Sequence, residues 1–95
     1  MRRYTFTRRL LEHAPDHPGI YGLFDGDELI YIGLAHRQSI KHFLLQHQSG
    51  GMGECTARAT AYTWELSLWP NAREVEILEE FQRRNGRQPR CKRAA

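Results

Sequence analysis

Cysteine is scarce in this 95-residue chain: Cys55 and Cys91 stand far apart in no paired spacing, so the sequence indicates neither a zinc site nor a disulfide framework. A reducing, cytoplasmic setting follows from that scarcity. No apolar run approaches the roughly eighteen residues of a membrane span, so no membrane partner is expected. The N-terminus lacks the apolar stretch of a secretory signal, since Arg2 and Arg3 lead into Tyr4-Thr5-Phe6-Thr7-Arg8-Arg9. Neither sign of charge dominates, with 14 Lys and Arg against 11 Asp and Glu for a net charge of +3. There are no internal repeats and no low-complexity segment.

An apolar content of 40% with ten aromatic residues suits one small globular domain with a thin core, spanning residues 1–95. Its core is expected over about 15–92, and a basic tail follows over 83–95. That tail holds Arg83, Arg84, Arg87, Arg90, Lys92 and Arg93, six basic residues in thirteen. It can attract nucleic-acid phosphates, and it can equally be a solvated terminus that aids solubility.

Residues 5 to about 13 read as a short helix with Thr5 or Thr7 as N-cap and Phe6, Leu10 and Leu11 on one side, ended by Pro15 and Pro18. Ser39 caps a second helix carrying Ile40, Phe43, Leu44 and Leu45, and Ser49-Gly50-Gly51-Met52-Gly53 stops it. Thr60 to Trp69 alternates as a strand, with Tyr62, Trp64, Leu66 and Leu68 on one face. A last helix is predicted from Ala72 to about Asn85, with Val75, Ile77, Leu78 and Phe81 in helical spacing and Asn85-Gly86 as its stop. The order αββαβα describes an α/β fold, an α+β sandwich in which helices flank a three-stranded antiparallel sheet.

The central element is Gly19 to Gly33, GIYGLFDGDELIYIG, where Asp25-Gly26-Asp27 joins two apolar runs into a β-hairpin. A three-residue loop centred on Gly26 pairs Tyr21 with Tyr31, Gly22 with Ile30 and Phe24 with Glu28. Ile20, Phe24, Ile30 and Ile32 then share one face, and Tyr21, Leu23, Leu29, Tyr31 and Gly33 the other. A two-residue loop would put the tyrosines on opposite faces and mix the apolar set, so the odd loop is preferred.

Gly19-Ile20-Tyr21 followed by Tyr31-Ile32-Gly33 on the two arms of one hairpin resembles the paired signature of the GIY-YIG nuclease superfamily. The resemblance runs from Pro15 to Lys92. It implies metal-dependent phosphodiester hydrolysis by tyrosines of the two signature strands, an arginine on the following helix, a metal-binding glutamate on a later helix and an asparagine near the end. Tyr21, Tyr31 and Gly33 stand at the signature positions, with Tyr21 the candidate general base. Glu74 stands where the glutamate holds one divalent ion, Mg²⁺ or Mn²⁺, with water and phosphate as the remaining ligands. Asn71-Ala72-Arg73-Glu74 also reads as a capping box, in which Glu74 would serve the helix start instead.

Two positions depart from the pattern. Phe43 falls where the arginine stands, and Lys92 where the asparagine stands. His47, at the end of the same helix, and Arg37, in the connection before it, are the candidates to supply the missing cation. His13, His17 and His42 read as surface residues, and Trp69 as a contact for unpaired bases. The expectation is a GIY-YIG domain that binds nucleic acid, DNA foremost, either as a diverged, impaired endonuclease or as an active one with a substituted cation. The alternative is an interaction module unrelated to nucleic acid; protein partners are not legible.

Overall fold

A computed structural model describes residues 2–91. Along the chain run β1 (Tyr4–Thr5), α1 (Arg8–Leu11), β2 (Gly19–Asp25), β3 (Glu28–Ala35), α2 (Ile40–Gln48), α3 (Glu54–Ala57), β4 (Ala61–Leu66) and α4 (Pro70–Asn85). The strands form one antiparallel sheet in the order β1-β4-β2-β3.

The three expected strands gain a fourth. Tyr4 and Thr5 pair with Tyr62 and Ala61, and the Tyr4 ring stacks on Tyr62 at 5.4 Å. This edge pairing takes Thr5 out of the expected helix, which shrinks to Arg8–Leu11 with Thr7 as its cap, accepting from the Leu10 N–H. A four-residue helix is too short to hold by itself, so the strand pairing wins.

The hairpin register differs from the expected one, and the difference is instructive. The turn has two residues, Gly26 and Asp27, between the paired Asp25 and Glu28. Only Gly26 has positive φ, +61°, the pattern of a type II′ turn. Tyr21 therefore faces Gly33 rather than Tyr31, and Leu23 faces Tyr31. A bulge between Leu23 and Phe24 on the pairing with β3 inserts one extra residue, which restores the parity that an even turn removes. The tyrosines keep a common face, while Ile30 and Leu29 exchange the faces expected of them.

Each face of the sheet has its own cover. Tyr21, Leu23, Ile30, Tyr31, Ala35 and Tyr62 join Leu11 of α1 with Ile40 and Leu44 of α2 in the main core. On the opposite face Ile20 and Ile32 meet Ile77, Leu78 and Phe81 of α4. The molecule is thus an α+β sandwich of helix, sheet and helix.

Local chemistry fixes how the helices enter. Ser39 Oγ accepts from the His42 N–H at 3.0 Å, while the N–H groups of Ile40 and Lys41 donate to the carbonyls of His17 and Pro15. These bonds satisfy donors that the first turn of α2 would otherwise leave open. In contrast, α4 starts two residues earlier than expected, with Pro70 in its first turn and no side-chain cap. Asn71 is then inside the helix, so the capping-box reading of Glu74 does not hold. Val75, one of the apolar residues in helical spacing, is exposed, and so are Leu66 and Leu68 at and beyond the end of β4.

The beginning of α4 is also tied to the sheet by Arg73, whose Nε and Nη2 contact the Glu65 carboxylate at 2.6 and 3.1 Å. Glu65's hydrogen bond and charge hold the guanidinium above its ordinary pKa. Both partners are partly solvated, and such pairs contribute at most about 1 kcal/mol. Arg73→Ala is expected to lower stability by less than that in chemical denaturation; a larger loss would mean that the pair anchors α4.

The cysteines overturn one expectation outright. Cys55, in α3, is disulfide-bonded to Cys91 with their Cα atoms 5.7 Å apart. Spacing along the chain carries no distance information for a single pair, and only the turn through Gly50 and Gly53 returns α3 to the C-terminal segment. The Cys91 N–H donates to the Ile30 carbonyl at 2.8 Å, placing that segment beside β3. Disulfides are rare in reducing compartments, so cysteine scarcity no longer argues for a cytoplasmic location.

Candidate functional site

The chemistry-bearing side chains of the main core converge on His47. Tyr21 comes from β2, Tyr31 from β3, His47 and Phe43 from α2, and Thr56 from α3. The Tyr21 hydroxyl lies 2.7 Å from His47 Nε2, and the Thr56 hydroxyl lies 2.7 Å from Nδ1 on the other side of the ring. Tyr31 packs against His47 at 4.9 Å between ring centroids and against Tyr21 at 6.0 Å.

Gly33 makes room for this arrangement. A Cβ built there would run into the ring and hydroxyl of Tyr21, so the phenol lies directly over the glycine that faces it across the ladder. This is the close approach for which the position needs glycine.

The cluster is sealed: His47 is 1% exposed and Tyr21 2%. Burial lowers the His47 pKa from 6.5 to about 4, so the imidazole is neutral at pH 7. A neutral ring between two hydroxyls donates through one nitrogen and accepts through the other. Phe43 stacks on Tyr21 with ring centroids 6.4 Å apart and planes 16° from parallel. The α2 position expected of a cation thus holds an aromatic ring stacked on Tyr21. A neutral His47 supplies no positive charge in its place, and Arg37 is exposed on the β3–α2 connection.

Glu74 reaches the structure from the other side. It lies on α4, which covers the face of Ile20 and Ile32, and it is only 6% exposed. A Mg²⁺ or Mn²⁺ ion held by one protein carboxylate needs water and phosphate oxygens for its other ligands. No group of three or more His, Cys, Asp or Glu able to hold a metal occurs among the described residues, and the resemblance asks for one carboxylate alone.

The basic tail is partly neutralised by carboxylates. Arg84 pairs with Glu80 at 2.9 Å, Arg87 with Glu28 at 3.6 Å, and Arg90 with Asp25 at 2.9 Å and Glu28 at 3.4 Å. Arg83 is exposed and has no ion-pair partner among the described residues. Lys92 and Arg93 lie outside them. Elsewhere His13 and His17 are exposed and His42 is half-buried. Trp69 is 78% exposed and Leu68 90%, beside a groove of about 470 Å³ lined by His17, Pro18, His36, Leu66, Ser67, Leu68 and Pro70.

Thr56 and the disulfide were not legible as parts of this site. A threonine in a four-residue helix after a glycine turn carries no periodic signal, and only the folded path shows that it reaches His47. No helix among the described residues is long and apolar enough to cross a membrane. No family model, curated protein or solved structure matches the chain.

Proposed function

We propose that this chain is a diverged GIY-YIG domain that engages nucleic-acid phosphates, DNA foremost, without cleaving them efficiently. The observation that carries the reading is the aromatic ring at position 43: Phe43 stacks on Tyr21 where the resemblance places an arginine, and Tyr21 and His47 are both buried. Losing one aligned transition-state donor commonly costs on the order of 10² to 10³ in rate. Here the cation is replaced and access is closed as well.

Support for a nucleic-acid partner is electrostatic and aromatic. The net charge is +3, Arg37 and Arg83 are exposed, and Trp69 stands free beside the groove flanked by His17 and His36. Surface ion pairs such as those of Arg84, Arg87 and Arg90 are weak enough to exchange a carboxylate for a phosphate. A cytoplasmic setting goes with that partner, and the Cys55–Cys91 disulfide would there meet the cellular thiol pool.

The test uses supercoiled plasmid with Mg²⁺ or Mn²⁺. The unaltered chain is expected to bind DNA with an affinity that falls steeply with salt, and to leave the plasmid intact. The double variant Phe43→Arg with Lys92→Asn is expected to nick it. Cleavage by the unaltered chain that disappears in Glu74→Ala would overturn the impaired-site reading and establish an active endonuclease. Absence of salt-dependent binding would remove the nucleic-acid partner altogether.

A further inference from the structure

The four residues of α3 are held in place almost wholly by what they touch. A helix of this length is unstable alone. It is preceded by a turn in which Gly50 and Gly53 have φ of +88° and +104°, conformations open to glycine, and no side chain caps its start. Two side-chain attachments bring it to the core: the Cys55–Cys91 disulfide and, one residue on, the bond between Thr56 and His47. Cys91 is itself fixed beside β3 by its N–H bond to Ile30, next to Tyr31.

We propose that the Cys55–Cys91 disulfide is a redox latch on the buried Tyr21–His47–Thr56 chain: oxidised, it holds Thr56 on His47, and reduced, it lets α3 move away and opens the tyrosine–histidine pair to water. Cys55 is exposed and Cys91 buried, so an external thiolate approaches from the Cys55 side. A dithiol reductant supplies the two electrons. One of its thiolates attacks Cys55 Sγ and the disulfide breaks, with Cys91 leaving as a thiolate that takes up a proton. The reductant's second thiol then displaces Cys55 from the mixed disulfide, leaving two cysteine thiols and an oxidised dithiol.

His47 reports the state of the latch. Among the described residues its ring meets Tyr21 on β2, Tyr31 on β3 and Thr56 on α3, none of them charged at neutral pH, so burial and two hydroxyl contacts set its state. The proposal rests on this geometry and not on the nucleic-acid reading; plasmid experiments leave it untouched.

Nitrogen-15 NMR of the imidazole, with amide hydrogen exchange, is the experiment, run on the oxidised full chain and again in dithiothreitol. On reduction the His47 titration is expected to move from about pH 4 toward 6.5, and exchange across residues 54–57 to quicken at least about tenfold, while β2 and β4 keep their protection. In the oxidised protein Thr56→Val should shift both ring-nitrogen signals, and Thr56→Ser should restore them. Unchanged titration and exchange on reduction would overturn the latch. So would loss of protection throughout the chain, which would make the disulfide a general staple. Two free thiols in the protein purified without reductant, or ring-nitrogen signals indifferent to Thr56→Val, would overturn it as well.

Discussion

Gly33→Ala is expected to destabilise the protein far more than one added methyl group does at a surface position. The new Cβ would occupy the space of the Tyr21 ring, and a buried ring that must move costs about 1–3 kcal/mol in overpacking. Moving it also draws the hydroxyl away from His47 Nε2, 2.7 Å distant. A buried polar group left without its partner adds roughly 1–3 kcal/mol. Urea denaturation measures the sum directly. The cause is isolated by repeating the substitution in Tyr21→Leu, where the shorter side chain no longer overlies residue 33. There the penalty should fall below about 1 kcal/mol, because residues in contact are strongly non-additive. Equal penalties in the two backgrounds would show that glycine is needed at position 33 for its backbone and not for the ring above it.

The same pair shows how far the sequence could be read. Asp25-Gly26 between two apolar runs marks a hairpin, and the hairpin is there. Its register was not legible, because two devices cancel: an even turn reverses side-chain parity and a bulge reverses it again. Reading Tyr21 and Tyr31 onto one face was correct, but the odd loop offered as its reason does not exist. Leu29 and Ile30, which border the irregularity, are where the expected faces fail. Caps were legible where the cap is a side chain, as at Thr7 and Ser39. The start of α4 was not, since Pro70 begins it with no capping side chain.

Within the site, legibility followed the same line between local and long-range information. His47 was visible as the end of an amphipathic helix. Its neutrality and its two hydroxyl partners arise from residues 26 positions before it and 9 after it in the chain. Arg87 and Arg90 looked like free cations because their partners, Asp25 and Glu28, belong to a hairpin more than fifty residues away. Cys55 and Cys91, 36 positions apart, failed for the same reason.

Acid is expected to weaken the fold between pH 6.5 and 5. His47 has a folded pKa of about 4 against 6.5 when solvated, so the unfolded chain binds its proton first. Where the unfolded state holds more protons, stability rises with pH. The folded chain therefore keeps its full stability above about pH 6.5 and loses it progressively as the pH falls toward 4. At about 1.36 kcal/mol per unit, the whole interval amounts to about 3 kcal/mol, and about 2 kcal/mol is lost by pH 5. Denaturation midpoints measured between pH 7 and 5 test this. The other four histidines are exposed or half-buried, which leaves His47 as the buried histidine behind the slope, and substituting it separates its contribution from that of every other group. His47→Gln should lower stability at pH 7, because its amide cannot reproduce both hydroxyl contacts, and should flatten the profile between pH 6.5 and 5. A slope that survives the substitution would assign the acid sensitivity to another group and place His47 in a better-solvated setting than its 1% exposure describes.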